Sequence, residues 1–267
     1  MHGVLLAGLR YCANRCLEQA VFDAFERVQT SLIGKMIPHR VPLGLLLLSR
    51  EQLTVEQLRT ALAAQRSAGH GRLGEWLVSL GFVTEEKITA ALARQWSCPV
   101  LRSSQRIVRA SRCPQIPVTL LEHFAIMPVD YVAASSTLHV AFSDGIDHGL
   151  LYAIERMTGS RVLACLAQAS FVRETLRNLL RQRSEYEVAF EGPADTAECS
   201  RIVRSYSVRL SATEVRLAGC GPFVWVRLFR SVRPPMDLLF RTHNAGSSIS
   251  DMPICSSSDG KTPLAPH

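Results

Sequence analysis

At 267 residues, with 47% apolar side chains and a mean hydropathy of +0.11, the chain is long and apolar enough to fill the cores of one or two globular units, which excludes wholesale disorder. Its formal charge of +7 comes from 30 Lys+Arg against 23 Asp+Glu, and the arginines alternate with acids instead of clustering with aromatics, so no nucleic-acid partner is expected. The eight cysteines form no C-x-x-C pair, which points to reduced, buried thiols and a cytoplasmic protein.

The opening segment, Met1 to Arg10, lacks a basic start, and its apolar run is short for a signal peptide. The longest apolar stretch, Leu43 to Leu48, falls well below the ~18 to 20 residues of a membrane helix, so no membrane insertion is expected. Cys12 and Cys16 lie one helical turn apart, but no His or Cys pair at ligand spacing follows, so no metal site is expected. Leu17, Val21, Phe25, Val28 and Leu32 form one stripe of an amphipathic helix, which occupies the segment 1–38 and ends before Pro38. Its simplest role is to pack on the domain that follows.

The segments 42–65 and 72–95 align without gaps at an offset of 30 residues and are identical at ten of 24 positions. The identical pairs include Leu43/Leu73, Gly44/Gly74, Leu47/Leu77, Thr54/Thr84, Ala61/Ala91, Leu62/Leu92 and Gln65/Gln95. Each copy reads as a short helix, a turn, and a second helix opened by threonine. Thr54 with Gln57 makes a capping box, and Thr84 is followed by Glu85 and Glu86, which face the helix dipole.

Beyond the repeats the periodicity changes. Ala125 to Tyr131 and Thr137 to Phe142 read as strands around Ala133 to Ser136; a helix carries Leu150, Ile154 and Met157, Arg161 to Leu166 is a third strand, and Ser170 caps a helix through Leu180. The polar stretch 182–195 reads as a linker. Thr196 to Leu210 looks helical, and Thr213 to Arg241 looks like strands divided by Gly219-Cys220-Gly221-Pro222, a second small unit over 196–241. The segment 242–267, rich in serine and proline, is expected to be disordered. The fold class is α+β: tandem helical hairpins, a small α/β sandwich, then a second small α+β domain.

The pattern R-L-G-x-x-L-V-x-x-G, continued to a leucine pair and a glutamine, is nearly complete from Arg72 to Gln95. Together with Ile116 to Leu121, Ile126 to Val129, Leu138 to Asp144 and Met157 to Gly159, it resembles the N-terminal domain of type II secretion and type IV pilus assembly ATPases, the GspE/MshE type, over about residues 40 to 181. More weakly, Arg201 to Phe240 resembles the small domain that precedes their motor core. The resemblance implies either cyclic di-GMP binding between the repeats or docking of protein partners.

Carried over by position, the ligand residues would be Arg72, Leu73, Gly74, Leu77, Val78, Gly81 and Gln95 in repeat two, and Leu43, Gly44, Leu47, Leu48 and Gln65 in repeat one. Repeat one departs at Pro42, where the arginine belongs, and at Glu51, where the second glycine belongs. Those losses favour docking over nucleotide sensing. The nearest string to a phosphate-binding loop, Cys255 to Thr262, lacks the first glycine and has only Pro263 to His267 after it, so no ATP hydrolysis is expected. Asp144, Asp147 and His148 read as turn and cap residues, not as an acid/base set.

The expectation is a non-catalytic regulatory or scaffolding protein with no cofactor, which docks a secretion or pilus component and retains degenerate cyclic di-GMP binding. The alternatives are a genuine cyclic di-GMP sensor, or a regulatory subunit working with a separate ATPase.

Overall fold

The structure, a computed structural model, describes residues 3–32, 40–101, 113–180, 185–191 and 195–242. The expected disordered tail and the string Cys255 to Thr262 fall outside the described residues, Thr242 excepted. In chain order the elements are β1 (Val4–Leu6), β2 (Leu9–Tyr11), α1 (Asn14–Leu32), α2 (Leu43–Leu48), α3 (Val55–Ala68), α4 (Leu73–Ser79), α5 (Glu85–Gln95) and α6 (Val118–His123). There follow β3 (Ile126–Val132), β4 (Thr137–Phe142), α7 (His148–Thr158), β5 (Arg161–Leu166), α8 (Ala169–Leu180), β6 (Glu187–Phe190), α9 (Thr196–Arg209), β7 (Glu214–Cys220), β8 (Phe223–Phe229) and β9 (Met236–Arg241). This is the α+β fold expected. No helix among the described residues is long and apolar enough to cross a membrane.

The repeats fold as two helical hairpins, α2–α3 and α4–α5. Thr54 closes the expected box: its hydroxyl accepts from the Gln57 backbone N–H at 3.2 Å, and Gln57 accepts from the Thr54 N–H at 2.9 Å. The sandwich after them has sheet order β3-β4-β5, with β3 antiparallel and β5 parallel to β4. A parallel neighbour needs a crossover, and α7 supplies it. Asp147 opens α7 by accepting from the Leu150 N–H at 3.0 Å, and Gly159 ends it at φ +70, where a Cβ would be strained.

The second sheet has the order β2-β1-β7-β8-β9-β6. Its middle strand β8 is buried on both faces, and the period of two sorts its side chains. Val224, Val226 and Leu228 join Leu17, Val21, Phe25 and Val203 in a core beneath α1 and α9. Phe223 and Trp225 point the other way, into the core shared with the repeats and sandwich. The amphipathic stripe on α1 therefore packs on the C-terminal sheet and α9, not on the repeats that follow it in sequence.

Two expectations give way here. The segment 1–38 holds a hairpin, β1–β2, before its helix, and β1 pairs in parallel with β7. The stretch read as linker contains β6, paired in parallel with β9. Strands of three or four residues gain their stability from a distant partner, so their own sequence carries no periodic signal.

Strand β6 also helps to fasten the two halves. Glu187 accepts from the backbone N–H groups of Val118 and Thr119 at 2.7 and 3.0 Å, placing a carboxylate at the start of α6. Beside it lies a buried ion pair. Arg227, 3% exposed, donates Nε and Nη2 to the two carboxylate oxygens of Asp237, 0% exposed, both at 2.8 Å. Trp225 Nε1 donates to the same carboxylate, and the guanidinium reaches on to the carbonyls of Met157 and Gln115 in the sandwich half. A buried charge is tolerable only when so fully partnered.

Candidate functional site

The 30-residue offset becomes a reciprocal packing of one hairpin on the other. Gln65 Nε2 donates to the Gly71 carbonyl at 2.9 Å, just ahead of α4, and Gln95 Nε2 donates to the Val41 carbonyl at 2.6 Å, just ahead of α2. The glycines exchange contacts in the same way. A Cβ on Gly44 would lie 2.9 Å from Leu58 and 3.5 Å from Leu73; one on Gly74 would lie 3.1 Å from Ile88 and 3.5 Å from Leu43. Leu47 and Leu77 are 0% exposed and form the floor beneath both. Close helix approach is thus what the Leu-Gly pairs provide.

The turns after the short helices also correspond, and both need a left-handed residue. Gly81 has φ +70; at the same place in repeat one Glu51 has φ +56. Arg72 occupies the residue before α4, where its N–H donates to Glu75 Oε2 at 3.0 Å. Its guanidinium Nη1 stands 3.4 Å from Asp144 Oδ2, with 67% of the side chain exposed. Pro42, its counterpart ahead of α2, can offer neither the N–H nor the charge.

A cleft of about 510 Å³ lies between α4–α5 and the sandwich. It gathers Leu43, Arg72, Leu73, Gly74 and Val78 of the expected residues; Gly44, Leu47, Leu48, Gln65, Leu77, Gly81 and Gln95 lie elsewhere, at the hairpin interface and turns. It also contains Glu75, Glu85, Ser143, Asp144, Ser170 and Arg173, which no motif spacing indicated. Glu85 accepts from the Ser170 backbone N–H at 2.7 Å and from its hydroxyl at 2.6 Å. Ser170 is therefore not the cap of α8 that the sequence suggests: it lies one residue past the helix start, and its hydroxyl donates a hydrogen bond to Glu85 of the second repeat. The partners lie 85 residues apart in sequence, beyond any local pattern. A smaller adjoining cleft of about 280 Å³ shares Glu75, Asp144 and Arg173 and adds Glu122 and Arg177.

Electrostatically, the larger cleft sets Arg72 and Arg173 against Glu75, Glu85 and Asp144. It can orient a group with both charges, but it does not concentrate positive potential. Asp147 caps α7 through the Leu150 N–H, and Asp144 stands beside Arg72 at the turn ahead of it. Burial pushes the Cys165 and Cys199 thiols up to about 12 and Cys113 to about 11, well away from nucleophilic thiolates. Among the described residues no three His, Cys, Asp or Glu groups stand together to hold a metal ion.

Residues 96–185 match the MshEN domain family. Bacteriophage adsorption protein B of Escherichia coli K12 is 29% identical over 147 residues, 55% of this chain and 19% of its own. The type IV pilus assembly ATPase PilB of Myxococcus xanthus is 26% identical over 141 residues, 53% of this chain and 24% of its own. The match thus spans about a fifth of the length of these curated relatives. Among solved structures, MshE with cdg aligns at 28% identity and a TM-score of 0.44, covering 52% of this chain and 99% of that one. The N-terminal domain of XpsE aligns at 20% identity and a TM-score of 0.38, covering 51% and 91%. Over residues 96–185 the chain thus resembles the MshEN domain, and through it the N-terminal domains of the GspE/MshE type.

Proposed function

We propose that this protein is a non-catalytic regulatory or scaffolding module which docks a component of a secretion or pilus machine, or a separate ATPase, and binds cyclic di-GMP only weakly. One observation carries the reading: the residues the repeats share are used to hold the hairpins to each other. Gln65 and Gln95 are bonded to backbone carbonyls, and Gly44 and Gly74 are covered by leucine or isoleucine. Arg72, the one motif arginine kept, is paired with Asp144 in a cleft whose acids outnumber its arginines.

A dianionic nucleotide would have to displace Asp144 and accept the neighbouring carboxylates. The guanine contact missing at Pro42 would forgo about 1 to 3 kcal/mol, roughly five- to 150-fold in affinity. The second reading, a genuine cyclic di-GMP sensor, is favoured by the aliphatic floor that Leu43, Leu73 and Val78 lay beside Arg72.

Calorimetry with cyclic di-GMP separates the two. The docking reading expects weak or undetectable binding by the native chain, tightened by Asp144→Asn and by Pro42→Arg with Glu51→Gly. Submicromolar binding that Arg72→Ala abolishes would establish the sensor instead. No protein-dependent ATP hydrolysis is expected, and magnesium-dependent turnover lost in Lys261→Ala would overturn the non-catalytic assignment.

A further inference from the structure

The two clefts beside repeat two set arginines against acids: Arg72 and Arg173 meet Glu75, Glu85 and Asp144 in the larger, and Arg173 and Arg177 meet Glu75, Glu122 and Asp144 in the smaller. A further cleft of about 340 Å³, between the C-terminal end of α9 and the loop from β8 to β9, is different. Its lining includes Arg209, Arg230 and Arg233 with the hydroxyls of Ser211 and Ser231, and no carboxylate. Among the described residues none of these three arginines is in an ion pair, whereas Arg204 on the same helix pairs with Glu18, and Arg216 and Arg227 on the same sheet pair with Glu214 and Asp237. Like charges gathered without a counter-charge repel one another, and an anion from outside relieves that repulsion.

We propose that this cleft binds a phosphate group. Two of its guanidiniums are already held by the protein. Arg230 donates Nε to the Pro234 carbonyl at 2.8 Å, with Nη2 on the same oxygen, and lies over the Tyr186 ring; Arg209 lies over the Tyr206 ring, 4.3 Å from its centre. A carbonyl and a ring face fix a guanidinium without neutralising it, so an anion that binds there orders little that is free. The donors are side chains, because the backbone N–H groups of Leu210, Ser211 and Ala212 are spent on the carbonyls of Tyr206, Val208 and Ser207. That donor set selects the anion. A carboxylate has two oxygens and is satisfied by one guanidinium fork, whereas a terminal phosphate presents three in a tetrahedron and takes donors from three arginines and the serines together. The phosphate comes from a soluble compound or from a lipid headgroup, and Val232, 94% exposed between Ser231 and Arg233, gives the second source an apolar tip beside the cations. The cleft shares no residue with the two beside repeat two, so the inference does not rest on the docking reading.

The full chain is titrated with pyrophosphate by calorimetry, and floated with phosphatidylcholine vesicles that contain or lack phosphatidic acid. Binding is expected in at least one arm: pyrophosphate with a Kd of about 1 mM or tighter, or flotation only where phosphatidic acid is present. Flotation marks a lipid headgroup as the source, and pyrophosphate binding without flotation marks a soluble compound. Arg233→Gln, in the loop and outside any helix or strand, should weaken the binding roughly fivefold, and Arg209→Gln with Arg233→Gln roughly tenfold or more. Arg59→Gln with Arg66→Gln removes the same charge from exposed positions of α3 and should change it by less than about twofold, as should Arg72→Ala in the repeat cleft. No binding in either arm would overturn the proposal. So would acetate that binds as tightly as pyrophosphate, an equal loss in the α3 pair, which would make net charge the cause, or a loss in Arg72→Ala, which would place the anion beside repeat two.

Discussion

Repeat one and repeat two begin from closely related sequences and reach different surroundings. Repeat two is built into the molecule, with α5 buried and Glu85 fastened to α8; repeat one touches the rest mainly through repeat two. The positions that stay identical, such as Leu43/Leu73, Gly44/Gly74, Leu47/Leu77 and Gln65/Gln95, are those where the hairpins meet. Among those that diverge, Leu45/Glu75, Val55/Glu85 and Arg59/Thr89, the repeat-one members are exposed, whereas Thr89 is buried and Glu85 is bonded to Ser170. Identity at the buried positions of the tandem pair therefore goes with the joint, while Ser49/Ser79, identical but exposed, bond within their own helices.

The largest expected effect comes from loosening the junction between the C-terminal sheet and the sandwich. Arg227→Met leaves Asp237 charged, buried and unpaired between the sheet and the sandwich, which should cost about 3 to 5 kcal/mol in denaturant unfolding. Replacing both, Arg227→Met with Asp237→Leu, should recover much of that loss, short of the Trp225 N–H left without its acceptor. A single Arg227→Met variant as stable as the native chain would show that the junction contributes nothing.

The next test compares the glycines directly. A methyl added in Gly74→Ala meets Ile88 Cγ2, a buried β-branched side chain with little freedom to move, and should destabilise by about 1 to 2 kcal/mol after the gain in helix propensity. Gly44→Ala meets the far end of Leu58, which is half-exposed and can turn outward, so it should be close to neutral. Equal losses at both would contradict the asymmetry between the repeats.

Much of the fold was legible because it is local. The hairpins, the strands of the sandwich and the capping residues Thr54 and Asp147 follow from period, turn chemistry and cap spacing. Strands β1, β2 and β6 were not, since three or four residues gain their pairing from elsewhere. The candidate site divides the same way. Its motif residues could be named from the repeat, but not their roles: glutamine as a base reader and glutamine as a latch look the same in sequence, and only the Gly71 and Val41 carbonyls distinguish them. Glu85 with Ser170, and Arg72 with Asp144, meet through tertiary packing that no spacing encodes.

The latches themselves make a smaller test. Gln95→Ala removes the bond to the Val41 carbonyl and should cost about 0.5 to 1.5 kcal/mol, with Gln65→Ala similar through Gly71. The double variant should lose roughly the sum, since each bond secures a different lead-in, and hydrogen exchange should quicken first in α2. Unchanged stability in both single variants would return the glutamines to the pool of ligand contacts.

The smallest expected effect concerns the turn where the copies differ by one residue type. Glu51 has φ +56 and Gly81 φ +70, so both chains pass through the left-handed region after the short helix, and both turns close with backbone bonds to that helix. An L side chain there brings its Cβ against the following carbonyl, a cost on the order of 1 kcal/mol that glycine escapes. Glycine also gives up more freedom on folding, which offsets part of the gain. Glu51→Gly should therefore stabilise the chain by about 0.5 kcal/mol, and Gly81→Glu should destabilise it by a similar amount or somewhat more. A Cβ at Gly81 meets nothing within 4 Å, so any loss in Gly81→Glu would report backbone strain and not a clash. If Glu51→Gly instead lowers stability, the carboxylate at the rim of repeat one is making a favourable contact, and its presence there would be a feature of that repeat's own surface and not a tolerated departure from the pattern.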